Sequence, residues 1–364
     1  MRLIRCAVVV VAVVALFSSV AQVASGSSVP GFAPASTSWT SPQRGFVLGY
    51  SRCAGSGWCP RLLGTDDAGV HWRALGAPPM SLPDNHNHVR LVAAGGTDLY
   101  VTDGTDIVAT RDGGRRWFPV QLPGAAAQRY VAKIVEHGGR SFVLVTGHSG
   151  DTETTTVHSG PAGSPVLQPL PGFSVQGGIT YGDLAVRGGL QIVLDADYRT
   201  EFYWTSHDGV RFTTAPAPCP EGSTASLGGV RDGQVLALCS SSPGSPQPGS
   251  SQRKLYRAPR LGETFRATAE APTVGITQAF DAATADSATV AAEGGGDGFL
   301  HRTTDGGRTW RTTVLSERGV GLWDLDFPDG ATGVVVDGLP DAESGSAVYR
   351  TTDGGRTWAP LALA

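Results

Sequence analysis

The chain has 364 residues, with 50 glycines, 24 prolines, only 16% charged residues and a formal net charge of −4. A Gly- and Pro-rich, weakly charged composition points to short strands joined by tight turns, not to a helical or disordered chain. The mild acidity repels phosphate backbones and sets nucleic acid aside as a partner.

The N-terminus reads MRLIRCAVVVVAVVALFSSVAQVASG. Arg2 and Arg5 form a short basic region, Ala7 to Phe17 is an apolar run, and small residues follow, with Ala21, Ala24 or Gly26 as the last before cleavage. This is the pattern of a secretory signal peptide over 1–26, too short for a membrane span, with an uncleaved anchor as the alternative. There is no Arg-Arg pair, which favours the general secretory route. No second apolar segment of spanning length follows. Removing Arg2 and Arg5 takes the net charge from −4 to −6. The export product keeps Cys53, Cys59, Cys219 and Cys239, and an even count in an exported chain implies two disulfides. Three connectivities are possible, and proximity favours Cys53–Cys59 and Cys219–Cys239. No cysteine spacing suits a metal, and no cofactor is expected.

From residue 65 onward one pattern recurs, Ser/Thr-x-Asp-x-Gly-x-x-Trp. It opens at Thr65, Thr110, Thr303 and Thr351, and a copy one residue shorter opens at Ser206 and ends at Phe212. Two decayed copies, Ser159 to Val166 and Ala258 to Phe265, fall in phase with them. The opening positions 65, 110, 159, 206, 258, 303 and 351 are separated by 45, 49, 47, 52, 45 and 48 residues. Periods of 40–50 residues with four strands each mean a propeller. In the second repeat the alternating apolar runs are Val89–Ala93, Asp98–Thr102, Asp106–Thr110 and Trp117–Gln121. In the seventh they are Gly321–Asp326, Thr332–Val336, Ala347–Thr351 and Trp358–Leu363. The expected fold is all-β, one seven-bladed β-propeller of four-stranded antiparallel blades over 27–364. The two domains that length alone would suggest are not needed.

Each residue of the pattern has a physical task. The carboxylates of Asp67, Asp112, Asp208, Asp305 and Asp353 accept turn N–H groups. The glycines allow positive φ. Trp72, Trp117, Phe212, Trp310 and Trp358 bury an apolar ring between sheets. These are parts of the fold and are not expected to be catalytic acids.

The repeats resemble the Asp-box, or BNR, propellers, which include sialidases, two-propeller xyloglucanases, a photosystem II assembly factor and sortilin-type receptors. The resemblance spans the expected mature chain. The stretch GFAPASTSWTSPQRGFVLGYSRCAGSGWC, from Gly31 to Cys59, is similar to the start of exported bacterial propellers of this type. The resemblance implies fold and export, and no activity. A sialidase needs three arginines clamping a carboxylate, a Tyr nucleophile with Glu, and an Asp acid/base. Members carry Phe/Tyr-Arg-Ile-Pro on the first blade, where this chain has Gly31-Phe32-Ala33-Pro34, without Arg.

Other constellations are weaker. Gly147-His148-Ser149-Gly150-Asp151 does not fit a nucleophile elbow. His86-Asn87-His88, near Asp84, could ligate zinc or copper or be a solvated loop. Asp195-Ala196-Asp197 could offer oxygens to calcium or be a solvated turn. Asp324 and Asp326 belong to an inner strand and are expected to face the central channel.

The repeat turns should occupy one face of the disc. Second-to-third-strand loops and blade connections should occupy the other, including Ala54–Trp58, Ser81–His88, Asp195–Glu201 and the Pro- and Gly-rich Ser240–Gln252. Variable loops on a rigid scaffold are where binding usually sits. Trp58, inside the small Cys53–Cys59 loop, is either a rigid exposed contact or folded back on blade 1. Trp58, His86, His88, Asp195, Asp197, Tyr198 and Arg199 are the candidate ligand-binding residues. The expected function is a secreted, monomeric, non-enzymatic binding or scaffold propeller, with an extracellular or cell-envelope protein or glycan as partner. A sialidase-like glycoside hydrolase is the alternative.

Overall fold

The computed structural model describes residues 31–363, apart from Ser56, 84–87, 230–232, 242–247, 318–320 and 342–344. The expected signal peptide, His86, and 242–247 of the Pro- and Gly-rich insertion lie outside the described residues. The rest forms seven antiparallel four-stranded sheets, each a simple meander in chain order. Blade 1 holds β1 (Ala33–Trp39), β2 (Gly45–Arg52), β3 (Trp58–Thr65) and β4 (Arg73–Leu75). Blade 2 holds β5 (Arg90–Gly95), β6 (Asp98–Thr102), β7 (Ile107–Thr110) and β8 (Phe118–Val120). Blade 3 holds β9 (Arg129–His137), β10 (Arg140–Ser149), β11 (Thr152–Pro161) and β12 (Gln168–Gly177). Blade 4 holds β13 (Thr180–Ala185), β14 (Leu190–Ala196), β15 (Arg199–Ser206) and β16 (Thr213–Thr214). Blade 5 holds β17 (Thr224–Gly229), β18 (Val235–Ser241), β19 (Gln252–Ala258) and β20 (Arg266–Ala271). Blade 6 holds β21 (Ile276–Ala282), β22 (Ala288–Gly294), β23 (Asp297–Thr303) and β24 (Arg311–Ser316). Blade 7 holds β25 (Leu322–Asp326), β26 (Gly333–Gly338), β27 (Ser346–Thr351) and β28 (Ala359–Pro360).

All seven repeat turns join a third strand to a fourth, the decayed copies included. Serine or threonine opens the tight form. Thr303 Oγ1 donates to Asp305 at 2.9 Å and accepts Gly307 N at 2.8 Å, while Asp305 accepts Thr309 N at 2.9 Å. The same pattern holds Asp67, Asp112 and Asp353. Gly307 sits at φ 91°, a conformation that a Cβ would strain. Each turn aromatic then packs into the preceding blade. Trp117 joins Phe46 and Leu48 of blade 1, Phe212 joins Phe142 and Leu144 of blade 3, and Trp358 joins Leu300 of blade 6. Trp72 closes the ring by packing against Val336 and Val348 of blade 7. The second strands are the most buried elements, and the core lies between blades and not in one central mass.

The inner strands β1, β5, β9, β13, β17, β21 and β25 line up around the axis, with β25 beside β1. Among the described residues blade 1 comes wholly from the N-terminal side and blade 7 wholly from the C-terminal side, with no strand exchanged across the closing seam. At every seam a backbone N–H of the later blade is captured by an acceptor of the earlier one. Ser36 and Ser38 Oγ accept Leu91 N and Ala93 N. Gly104 O accepts Val131 N at 2.7 Å. Glu153 accepts Thr180 N, Asp183 accepts Leu227 N, and Asp195 accepts Ala225 N. Ser251 accepts Thr277 N, Asp281 accepts Phe327 N, and Asp324 accepts Thr37 N. Inner-strand N–H groups that point across a seam would otherwise go unpaired, and orphaned buried donors are costly.

Both disulfides take the pairing favoured by proximity. Cys53–Cys59 closes the β2–β3 hairpin with Cα atoms 5.2 Å apart, and Cys219–Cys239 ties the segment before β17 to β18 at 5.5 Å. Among the described residues no helix is long and apolar enough to cross a membrane.

Candidate functional site

A cavity of about 530 Å³ runs along the axis and gathers side chains from all seven inner strands. Ring-bearing residues are Tyr130 of β9, Tyr181 of β13, Phe280 of β21 and Trp323 of β25. Polar ones include Thr37 and Ser38 of β1, Thr224 and Ser226 of β17, and Gln278 of β21. A larger hollow, about 810 Å³, lies beside blade 2 near Pro79, Met80, Pro119 and Pro123. It draws on one blade and the adjoining linkers, whereas the channel draws convergent polar and aromatic groups from the whole ring. Such convergence marks the stronger candidate.

Strand direction sets the two ends of the channel apart. First strands run toward the face that carries the repeat turns, so Arg187, in the β13–β14 turn, and Asp281 and Asp326, near the ends of β21 and β25, gather there. Arg187 spans from blade 4 to blades 6 and 7: one nitrogen donates to both Asp281 oxygens at 2.9 Å, the other to Asp326 at 2.6 Å. Burial opposes its charge, yet Asp281 and Asp326 outweigh this and hold Arg187 above its ordinary value. Desolvation, then the neighbouring Asp281 charge, pushes Asp326 up to about 7 against the pull of Arg187. This network lies across the repeat-turn end. The loop-face end is framed instead by rings and two ion pairs, Lys133–Asp183 at 2.5 Å and Arg90–Asp324 at 3.4 Å. Asp324 also accepts the Ser36 hydroxyl and occupies the left-handed region at φ 51°, where the β25–β26 register shifts. Its carboxyl is raised by desolvation despite Arg90.

The candidate residues read from sequence do not form one cluster. His88, at the blade 1–2 junction, packs against Tyr130 with ring centroids 4.2 Å apart and the rings tilted by 43°. Burial and then Arg90 lower its pKa, so the imidazole is neutral near pH 7. Trp58 opens β3 in blade 1. It is half-buried against the cluster that holds Leu62 and Val89, and the Arg52 guanidinium lies 4.2 Å over its ring. Three blades away, Asp197 and Tyr198 form the two-residue turn between β14 and β15, both at positive φ, and Arg199 follows, paired with Glu201 at 2.8 Å. Asp195 departs from the expected solvated turn. It is fully buried, because its carboxylate accepts Thr200 Oγ1 at 2.8 Å and staples Ala225 of blade 5, and burial raises it to about 6. Among the described residues no three His, Cys, Asp or Glu side chains converge as a metal-holding group.

Sequence reasoning placed Asp324 and Asp326 on the channel but missed Tyr130, Tyr181, Trp323, Arg90, Lys133 and Arg187. The rings carry a usable signal: Tyr130, Tyr181 and Trp323 stand 29, 25 and 28 residues before the opening residue of their own repeat turn. That offset belongs to the inner strand.

No family model matches the chain, and no curated protein matches it. Solved propellers do. An oligogalacturonate lyase in complex with manganese is 12% identical, with a TM-score of 0.52 over 85% of this chain and 86% of its own. An ulvan lyase of a polysaccharide lyase family, bound to a glucuronate–sulfated rhamnose fragment, is 8% identical, with a TM-score of 0.53 over 89% and 92%. The β-propeller domain of the trilobed protease from Pyrococcus furiosus is 10% identical, with a TM-score of 0.51 over 91% and 96%. At these identities the likeness is one of fold, and it defines the chain as a β-propeller.

Proposed function

We propose that the protein is an exported propeller of the Asp-box type that binds a ligand at the loop-face mouth of its channel without transforming it. The observation that carries this reading is the engagement of the channel carboxylates. Asp183, Asp281 and Asp324 each accept a backbone N–H of the next blade and each pairs with a cation, and Asp326 shares Arg187 with Asp281. A general base must be free to take a substrate proton, and a nucleophile needs an activating neighbour. These acids are occupied in holding the ring together. Arg90 and Arg187 are occupied likewise, which leaves a sialidase-type carboxylate clamp without its arginines in the channel. What remains toward the lumen is Tyr130, Tyr181 and Trp323 among Thr, Ser and Gln side chains, a lining suited to recognition.

Export is supported by the leader-like N-terminus together with two disulfides. The Asp-box assignment is supported by five hydrogen-bonded Asp turns in phase with the blades. Trp58, His88, Asp197, Tyr198 and Arg199, with Asp195 behind them, belong to the same proposal as residues of the ligand-bearing face.

The test fills the channel. Ser226→Trp places an indole in the lumen, and Arg308→Ala alters the exposed opposite face. A ligand retained from an envelope extract by the wild-type chain should be lost by Ser226→Trp and kept by Arg308→Ala. Release of the ligand in chemically altered form, or its loss only in Arg308→Ala, would overturn the reading.

A further inference from the structure

At one place the rim of the channel continues onto the loop face as a shelf of rings. Tyr181 lines the channel, yet it is 41% exposed. Tyr198, on the β14–β15 turn, lies beside it with ring centroids 5.9 Å apart. Burial and the adjacent Tyr198 hydroxyl push Tyr181 up to about 12, so Tyr181 keeps its proton at neutral pH. Ile179, just before β13, and Phe202 of β15 are each 38% exposed in the same blade, and Phe202 stacks on Trp204 at 4.8 Å.

The turn that presents Tyr198 is unusual. Both of its residues have positive φ, 49° at Asp197 and 62° at Tyr198, the two-residue geometry that hairpins normally give to Asn-Gly or Asp-Gly. A bulky aromatic residue there is a conformational outlier, and such outliers persist where the surroundings hold them. Here Asp197 is the holder. Its carboxylate accepts Gly178 N and Ile179 N, both at 3.1 Å, and its own N–H donates to Ile179 O at 2.9 Å. The turn is thus bolted to the strand start that carries Tyr181, so the backbone that presents Tyr198 is held before any ligand arrives. A preformed surface loses little conformational freedom on binding.

Charge narrows the ligand. Around the shelf and the channel mouth each cation already has an acid, Arg199 with Glu201, Lys133 with Asp183 and Arg90 with Asp324, and the Asp197 carboxylate is engaged by two backbone N–H groups. An anionic ligand would have to displace an acid from one of these pairs and a cationic one would have to draw Asp197 from the N–H groups it holds, whereas rings tipped with hydroxyls offer an apolar face and a hydrogen bond together. We infer that Tyr181 and Tyr198 form an extended subsite for a neutral oligosaccharide, whose leading unit occupies the channel mouth and whose following units stack along blade 4. This inference rests on the binding reading above and adds the ligand class and the direction in which the chain of sugars leaves.

The experiment titrates the whole chain with cellohexaose, mannohexaose and laminarihexaose, with the corresponding disaccharides, and with hexagalacturonate as the charged comparison. Three variants separate the contributions. Tyr198→Gly removes the ring and relieves the positive φ, so folding is preserved. Tyr198→Phe keeps the ring. Ser226→Trp fills the channel. A neutral hexasaccharide should bind the wild-type chain and lose about tenfold in affinity in Tyr198→Gly while Tyr198→Phe retains it, with the disaccharide unchanged by either. Equal binding of the hexasaccharide by wild type and Tyr198→Gly, together with loss in Ser226→Trp, sinks the shelf and leaves the channel reading standing. A Tyr198-dependent hexasaccharide that Ser226→Trp still binds keeps the shelf and sinks the channel reading. Tighter binding of hexagalacturonate than of any neutral probe, or no neutral probe bound by wild type, overturns the inference, and so does a Tyr198-dependent protein partner in the absence of sugar binding.

Discussion

Replacing Arg187 with methionine would remove a cation that joins blades 4, 6 and 7, and its cost should depend on pH. In the intact protein Arg187 faces two carboxylates whose side chains are 14% and 33% exposed, and is itself 24% exposed. Removing one partner from a fully buried pair costs about 3–5 kcal/mol, and partial exposure reduces this to about 2–3 kcal/mol at pH 8. Asp326 titrates at about 7 in the folded chain, above its value in the unfolded chain. Its contribution to stability is therefore fully present below about pH 4 and is lost as pH rises through about 7. At pH 5 Asp326 carries its proton, so the variant loses only the Asp281 pair, about 1 kcal/mol, and is spared the repulsion between two anions. For a chain of this size the melting midpoint should fall by roughly 4 °C at pH 8 and by less than half of that at pH 5. Calorimetric scans of wild type and Arg187→Met at the two pH values measure this difference. An equal fall at both, or a larger fall at pH 5, would refute the assignment of Arg187 as the counterion of two interacting acids.

Turn donors hold Asp67, Asp112, Asp208 and Asp305 down at about 2, and Asp353 is also lowered. Their contribution is present above about pH 4 and is lost as pH falls through about 2, so circular dichroism should show cooperative acid unfolding in that window. A fold unchanged at pH 2 would contradict it. Asp305→Ala should lower the melting temperature and leave ligand affinity intact, and the opposite pairing would make the turn a functional element. Thiol titration of the denatured, unreduced mature protein should find no free thiol, because both cysteine pairs are bridged, and two or more thiols per chain would contradict that. With a ligand in hand, Trp58→Ala should weaken binding by about 1 kcal/mol and Arg308→Ala should not. The reverse would move the ligand to the repeat-turn face.

The blades were legible because one turn recurs and tolerates few residues. Thr303, Asp305 and Gly307 each satisfy a hydrogen bond or a dihedral that other residues satisfy poorly, so the chemistry is written into the sequence at a fixed period. Where that chemistry decays the period alone carries the information. At Ser159 to Val166 the turn is completed by another blade, since Gly163 N donates to the Tyr100 hydroxyl at 2.9 Å. The channel was much less legible. Tyr130, Tyr181 and Trp323 belong to strands whose sequences differ from blade to blade, and their proximity exists only once the ring closes. Asp195 illustrates the same limit. Beside Asp197 in sequence it resembles a turn acid, but its role is set by Ala225, thirty residues later in the chain, in the next blade. Trp58 looked hard to bury inside a six-residue disulfide loop. It gains partial cover from Arg52, its cross-strand partner in β2, which no local pattern announces.

The manner of ring closure bears on what the channel can do. Among the described residues blades 1 and 7 share no strand, and the closing seam is held by Asp324, which accepts Thr37 N and the Ser36 hydroxyl and faces Arg90, and by Arg350, which donates to Pro42 O and Ala68 O. Turn aromatics and a cluster of Val47, Leu63, Val336 and Val348 complete that seam. The acids closest to the axis are therefore also those that keep the disc shut. Lending Asp324 to a substrate would leave Thr37 N unpaired and Arg90 without its carboxylate partner at the closing seam. Trp323 shares in the closing seam through the Val47 and Val336 cluster and Tyr130 packs on His88, but the rings of the Tyr181–Tyr198 pair lie within blade 4 and, among the described residues, accept no N–H across a seam. Rings can meet a ligand without weakening the scaffold, and this separation of closure from contact is the physical reason for placing recognition on the aromatic residues of the loop face.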